Sequence, residues 1–210
     1  MSTEPHVIRI LAVDDHALLR EGIAALIAAE PGMQLVAACS NGQEAIQQFR
    51  ALRPDVTLMD LQMPEMTGLD AMIAIRREFT DARIIVLSSY AGDVQVVRAL
   101  KAGASGYLVK NLVHKELLDT IRSVHAGRKA LSPEISIELA THATDDPLTP
   151  AEIEVLHLIA AGNSNKQIAD KLDITEDTVK GRVRNILSKL GANDRTHAAT
   201  IGLKRGIIQL

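Results

Sequence analysis

Five residues of this chain carry side chains that together could handle a phosphoryl group: Asp14, Asp15, Asp60, Ser88 and Lys110. Each stands at the carboxyl end of a short aliphatic run. Asp14 and Asp15 follow Val7–Val13, Asp60 follows Val56–Met59, Ser88 follows Ile84–Leu87 and Lys110 follows Gly106–Val109. Three carboxylates gathered in one crevice repel one another and call for a counter-cation. A hard divalent ion with oxygen ligands, Mg²⁺ above all, meets that need while keeping several waters. A carboxylate can also act as a nucleophile toward phosphorus, which makes Asp60 a candidate aspartyl-phosphate site. The Lys110 ammonium and the Ser88 hydroxyl would then face the transferred group and stabilise its charge. Singly, each residue has an ordinary reading: an Asp caps a helix, a Lys is solvated, a Ser opens a turn. Their coincidence at the ends of four separate runs is what points to chemistry.

The elements that must position them follow from periodicity. The four runs, together with Met33–Ala38, are short and aliphatic, as strands buried on both faces should be. Between them lie helical patterns, with Leu19, Ile23, Leu26 and Ile27 on one face and Leu117, Leu118, Ile121 and Val124 on another. Five strands alternating with five helices over residues 1–127 imply a doubly wound, five-stranded parallel sheet of α/β class. Such sheets bind ligands outside the carboxyl ends of their strands, where the five residues stand.

Residues 128–146 read as a linker, with Ser132-Pro133 able to start a short helix and Thr144-Asp145-Asp146-Pro147 as an exposed connector. From 147 to 210 the period is helical throughout. Thr149-Pro150-Ala151-Glu152 and Ser164-x-x-Gln167 are capping boxes, Thr175 caps a third helix that stops at Gly191, and a fourth runs from about Arg195 to Arg205. A short helix, a tight turn at Asp173-Ile174 and a longer helix make a helix-turn-helix. In the longer helix Val179, Val183, Ile186, Leu187 and Leu190 share an apolar face. The opposite arc holds Gly181, Arg184 and Asn185, with Lys180 and Arg182 on its shoulders. Small and polar residues flanked by cations suit a helix lying in a DNA major groove. A glycine in mid-helix costs about 1 kcal/mol against alanine, and close approach to the groove floor would offset it.

Composition narrows the alternatives. With 47% apolar and 23% charged residues the chain reads as an ordinary soluble globular protein. Aromatic residues make up 2%, without Trp, which argues against base-stacking platforms. The single Cys39 rules out an internal disulfide or a cysteine zinc site and suits a reducing compartment. No apolar run approaches the roughly 18 residues of a membrane span, and the N-terminus has no signal segment, so a cytoplasmic location is expected. Residues 1–127 carry 12 Lys/Arg against 15 Asp/Glu, whereas 147–210 carry 9 against 7, so the helical region alone is net positive.

The pocket residues, with Leu58-Met59-Asp60-Leu61-Gln62-Met63-Pro64, Gly68 and Gly103-Ala104-Ser105-Gly106-Tyr107-Leu108-Val109-Lys110, resemble the receiver domain of two-component response regulators. Leu148-Thr149-Pro150-Ala151-Glu152, Gly162-x-Ser164-Asn165-Lys166-Gln167-Ile168-Ala169 and Ile186-Leu187-x-Lys189-Leu190-Gly191 resemble the LuxR-type helix-turn-helix. Together they resemble a response regulator of the NarL/FixJ type, with a flavodoxin-like receiver followed by a four-helix DNA-binding domain. The resemblance implies a switched transcription factor rather than a metabolic enzyme. Asp60 would be phosphorylated by a histidine kinase or a small phosphodonor. Mg²⁺ would be held by Asp15, Asp60 and the main-chain carbonyl of Gln62, with Asp14 acting through water. It further implies that Tyr107 turns inward as Ser88 moves toward the phosphoryl group, and that Gln62 and Tyr90 set phosphoryl lifetime. The family more often has Thr at the place of Ser88, His at that of Arg182 and Arg at that of Ala151. Lys180, Gly181 and Arg184 match its base- and phosphate-contacting positions, and Lys166, Thr178 and Asn185 its phosphate contacts. The last helix would pair two subunits through Ala198, Ala199, Gly202 and Leu203, giving a homodimer on inverted DNA half-sites. Two rival readings are a phosphatase using Asp60 as nucleophile and an interaction module whose helix-turn-helix only dimerises. The first lacks a substrate-binding insertion, and a gel shift on genomic fragments separates the second.

Overall fold

The computed structural model describes residues 7–89, 92–142 and 145–208, so Tyr90 and Thr144 lie outside it. The described residues form two compact units, 7–89 with 96–133, and 92–95 with 134–142 and 145–208.

The first unit alternates strand and helix: β1 (Ile8–Val13), α1 (Ala17–Ala28), β2 (Met33–Cys39), α2 (Gly42–Leu52), β3 (Val56–Asp60), α3 (Gly68–Glu78), β4 (Ile84–Ser88), α4 (Asp93–Lys101, in this unit from Val96 on), β5 (Gly106–Val109), a 3₁₀ turn Lys110–Leu112, α5 (Val113–His125) and β6 (Ala130–Leu131). The sheet is parallel with order β2-β1-β3-β4-β5-β6. It has six strands where the aliphatic runs predict five. The sixth is a two-residue strand, Ala130 beside Gly106 and Leu131 beside Tyr107, too short to show a period of its own. β3, β4 and β5 are buried along their whole length, as strands covered by helices on both faces must be. On one face Ile10, Ala12, Leu58, Ile85 and Leu108 pack against Ile23 and Ile27 of α1 and Leu117, Ile121 and Val124 of α5.

Register then places the chemistry. Val13 lies opposite Met59, so Asp14 and Asp60 emerge side by side where the strand order reverses between β1 and β3. Asp60 and Ser88 are the last paired residues of their strands, opposite Leu87 and Val109 respectively, one step further than the aliphatic runs alone suggest. Lys110 follows directly.

The second unit is helical: α6 (Pro133–Thr141), α7 (Pro150–Ala160), α8 (Asn165–Leu172), α9 (Glu176–Leu190) and α10 (Arg195–Lys204). The short helix foreseen at Ser132-Pro133 begins at Pro133. Both capping boxes form. Thr149 N donates to Glu152 Oε2 at 2.8 Å and Ser164 N donates to Gln167 Oε1 at 2.8 Å, while each cap's side-chain oxygen takes the amide three residues on. Asp173, in the left-handed region at φ +52°, makes the turn from α8 to α9, and Gly191 at φ +59° ends α9. Val155, Leu156, Ile159, Ile168, Val179, Ile186, Ala198 and Ile208 form the core. Glu152, buried in the first turn of α7, meets Lys189 Nζ of α9 at 3.0 Å. Burial raises the pKa of this carboxyl, but the Thr149 amide and Lys189 outweigh it and hold Glu152 below the usual range.

Candidate functional site

At the carboxyl edge of the sheet the five residues singled out for phosphoryl chemistry are neighbours. Lys110 Nζ lies 2.8 Å from Asp60 Oδ2 and 2.8 Å from Asp14 Oδ2, bridging the two buried carboxylates. Asp60 Oδ1 accepts the amide of Gln62 at 3.1 Å, which places Gln62 at the pocket. Asp14 Oδ1 accepts the amide of His16 at 2.9 Å. Asp15, at the rim, meets His16 Nδ1 at 2.7 Å.

The pocket holds more negative charge than its one ammonium balances. Burial pushes the Asp60 carboxyl above the usual range, with Asp14 adding to the push, while Lys110 and the Gln62 amide pull it back. Burial acts to lower the Lys110 pKa, yet Asp14 and Asp60 outweigh it and keep the ammonium charged. Three carboxylates gathered around one ammonium make a site that favours a further cation. The donor set fits a hard divalent ion: carboxylate oxygens of Asp14, Asp15 and Asp60 and a ring nitrogen of His16 lie within 4.8 Å of one another. Asp14 Oδ2 is buried without an aligned hydrogen bond, Lys110 meeting it by charge rather than direction, so its lone pairs are available to an ion or its water.

Ser88 and Tyr107 are both buried, and the Tyr107 hydroxyl is hydrogen-bonded to Ser88. Burial first, with Asp60 adding to it, pushes the phenol up to about 12. The aromatic ring therefore stands inward in the chain as it is. The resemblance links that position to the phosphorylated form; here the ring is buried with its hydroxyl beside Ser88.

In the helical unit α9 turns Val179 and Ile186 into the core and presents Lys180, Arg184 and Asn185 to solvent, with Gly181 and Arg182 half-exposed between them. Thr178 and Lys166 are exposed as well. Lys180 Nζ lies 3.1 Å from Asp177 Oδ1 and 3.6 Å from Glu176 Oε1, exposed pairs that a polyanion could replace. A Cβ added at Gly181 would meet nothing within 4 Å. Among the described residues no packing calls for glycine there.

Part of the pairing surface expected on α10 needs correction. Ala198 is fully buried and Gly202 is buried, a Cβ on Gly202 falling 2.8 Å from Leu156 Cδ2. These two small residues let α10 close against α7 and belong to the domain core. Ala199 and Leu203 are half-buried at its edge.

Three positions gain a role that the residue patterns did not assign. Gly68 opens α3 directly beneath Asp60. His16 joins the acidic cluster, and its place beside Asp14-Asp15 was the available signal. Arg20 donates from Nη1 to the main-chain carbonyl of Asp14 at 2.6 Å. As one Arg in an amphipathic helix it gave no sign of this.

Two family models match the chain: the response regulator receiver domain over residues 10–122, and the luxR family of bacterial regulatory proteins over residues 146–201. The chain is 38% identical over 210 residues to the transcriptional regulatory protein LiaR of Bacillus subtilis, covering 96% of this chain and all of that protein. It is 36% identical over 207 residues to the response regulator protein VraR of Staphylococcus aureus, covering 96% of this chain and 99% of that one. Among solved structures, a LuxR-family two-component response regulator from Aurantimonas sp. is 38% identical with a TM-score of 0.63, covering 65% of this chain and 98% of the other.

Proposed function

Because the chain belongs to the response regulators that join a receiver domain to a LuxR-type DNA-binding domain, and so to a class of transcriptional regulators, we propose that phosphorylation of Asp60 switches its grip on DNA. The observation that carries this reading is the pair of 2.8 Å contacts by which Lys110 joins Asp14 and Asp60 at the point where the strand order reverses.

In the proposed transfer an Asp60 carboxylate oxygen attacks phosphorus. The bond from phosphorus to the donor breaks, and its electron pair leaves with the donor, a kinase histidine nitrogen or the carboxylate of an acyl phosphate. Asp15, Asp60 and the Gln62 carbonyl, with Asp14 through a water, would hold Mg²⁺, which when bound would supply charge neutralisation to the transferred group. Lys110 releases part of its hold on Asp60 and turns its ammonium to a phosphoryl oxygen. Ser88 donates a hydrogen bond from its hydroxyl to another, and Tyr107 follows that hydroxyl. This shifts the end of β4 and the segment after it.

The receiver spans 1–127, the linker 128–146 and the helix-turn-helix 147–210. α9 lies in the major groove with Lys180, Gly181 and Arg184 at base edges and Arg182, Asn185, Thr178 and Lys166 toward phosphates. Two copies, meeting through Ala199, Leu203 and the exposed side of α10, occupy inverted half-sites. The partners are a histidine kinase and double-stranded DNA, in the cytoplasm.

The test is label from radioactive acetyl phosphate. Wild type takes up hydroxylamine-sensitive label in the presence of Mg²⁺, and Asp60→Asn takes up none. Equal label in the variant would place the acceptor elsewhere.

A further inference from the structure

The three carboxylates of the pocket are not fixed alike. Asp14 and Asp60 are buried and share Lys110. Asp15 has a side chain 31% exposed, and its contact is with a His16 side chain 69% exposed. An exposed contact of this kind fixes little. The peptide unit joining Asp14 to Asp15 is planar, so whatever holds the Asp14 carbonyl also places the Asp15 amide and Cα, from which the rim carboxylate is carried.

That carbonyl accepts Nη1 of Arg20 at 2.6 Å. On the other side of the residue the Asp14 amide donates to the Cys39 carbonyl of β2 at 3.2 Å. In the same turn the Asp14 carboxylate accepts the His16 amide at 2.9 Å, so its side chain holds the residue after Asp15 while Arg20 holds the Asp14 carbonyl. His16 stands at the N-cap of α1 without a side-chain cap bond, and its carbonyl takes the amides of Leu19 and Arg20 at 3.1 and 3.2 Å. Arg20 thus closes the turn with both its main chain and its side chain.

We propose that Arg20 is a positioning residue for Mg²⁺: its guanidinium pins the Asp14–Asp15 peptide and so aims the one rim carboxylate of the metal site. This rests on the reading of Asp14, Asp15 and Asp60 as a Mg²⁺ pocket. The sign of its effect separates it from a simple charge. A guanidinium beside an acidic pocket repels a divalent cation, so acting as charge alone its removal would tighten Mg²⁺ binding. Acting as an orienting group, its removal weakens binding, as loss of an outer-shell partner does.

The experiment is calorimetric titration of the unphosphorylated full-length chain with MgCl₂, for wild type, Arg20→Met, Arg20→Lys and Asp15→Asn, with metal-free melting temperatures alongside. Arg20→Met should bind Mg²⁺ about 10-fold more weakly. Arg20→Lys, which keeps the charge and a single donor, should fall between it and wild type. Wild-type or tighter affinity in a folded Arg20→Met protein overturns the assignment. Should Arg20→Met not fold, wild-type affinity in Arg20→Lys overturns it equally. If wild type binds no Mg²⁺, or Asp15→Asn binds as wild type does, the Mg²⁺ pocket itself is refuted and Arg20's role falls with it.

Discussion

A methyl group on Gly68 would lie 1.7 Å from the main-chain oxygen of Asp60. The first residue of α3 thus sits directly against the last residue of β3, and the Gly68 amide donates to the Leu61 carbonyl at 3.1 Å. Space rather than backbone conformation demands glycine here. Gly68→Ala should destabilise the receiver by about 3 kcal/mol, the upper end for overpacking, because the obstacle is backbone. It should also slow Asp60 labelling by acetyl phosphate. Urea denaturation and the labelling rate check both parts.

The burial of the Tyr107 phenol, which outweighs the opposing pull of Ser88, has a pH signature. With its phenol pushed up to about 12, the folded chain keeps a proton that the unfolded chain begins to release near pH 10. The unfolded state then binds fewer protons than the native one, so stability falls as pH rises through that window. Relative to Tyr107→Phe, wild type should lose about 1.4 kcal/mol between pH 8 and pH 11. Parallel urea midpoints for the two proteins across that range would contradict it.

Gly181 should behave in the opposite way to Gly68. With open space around its missing Cβ, Gly181→Ala should stabilise the helical unit by up to about 1 kcal/mol through helix propensity. If α9 lies in the major groove, the same methyl should weaken binding to genomic fragments in a gel shift. A stabilised variant with unchanged DNA affinity would remove Gly181 from the groove.

Most of this molecule was legible because its signals were local. Aliphatic runs gave the buried strands, two capping boxes fixed α7 and α8, and Gly191 gave the end of α9. The pocket was legible because its residues sit at strand ends, where topology alone brings them together. What escaped needed long-range information. β6 has two residues and exists only as a partner for β5. Ala198 and Gly202 look the same in sequence whether a small residue invites another subunit or another helix of the same domain; Leu156 decides for the second. The inward ring of Tyr107 lies beside Ser88 of another strand, and Arg20 reaches a carbonyl six residues back. Pairings of this kind leave no periodic trace.

The central claim is that a phosphoryl group on Asp60 governs how firmly α9 holds DNA. The most direct measurement is genomic footprinting with purified protein at one fixed concentration, with and without acetyl phosphate and Mg²⁺, for wild type and Asp60→Asn. Site occupancy should rise on treatment of wild type and stay at the untreated level in the variant. Identical wild-type occupancy in the two conditions, with the label shown to be on Asp60, would contradict it.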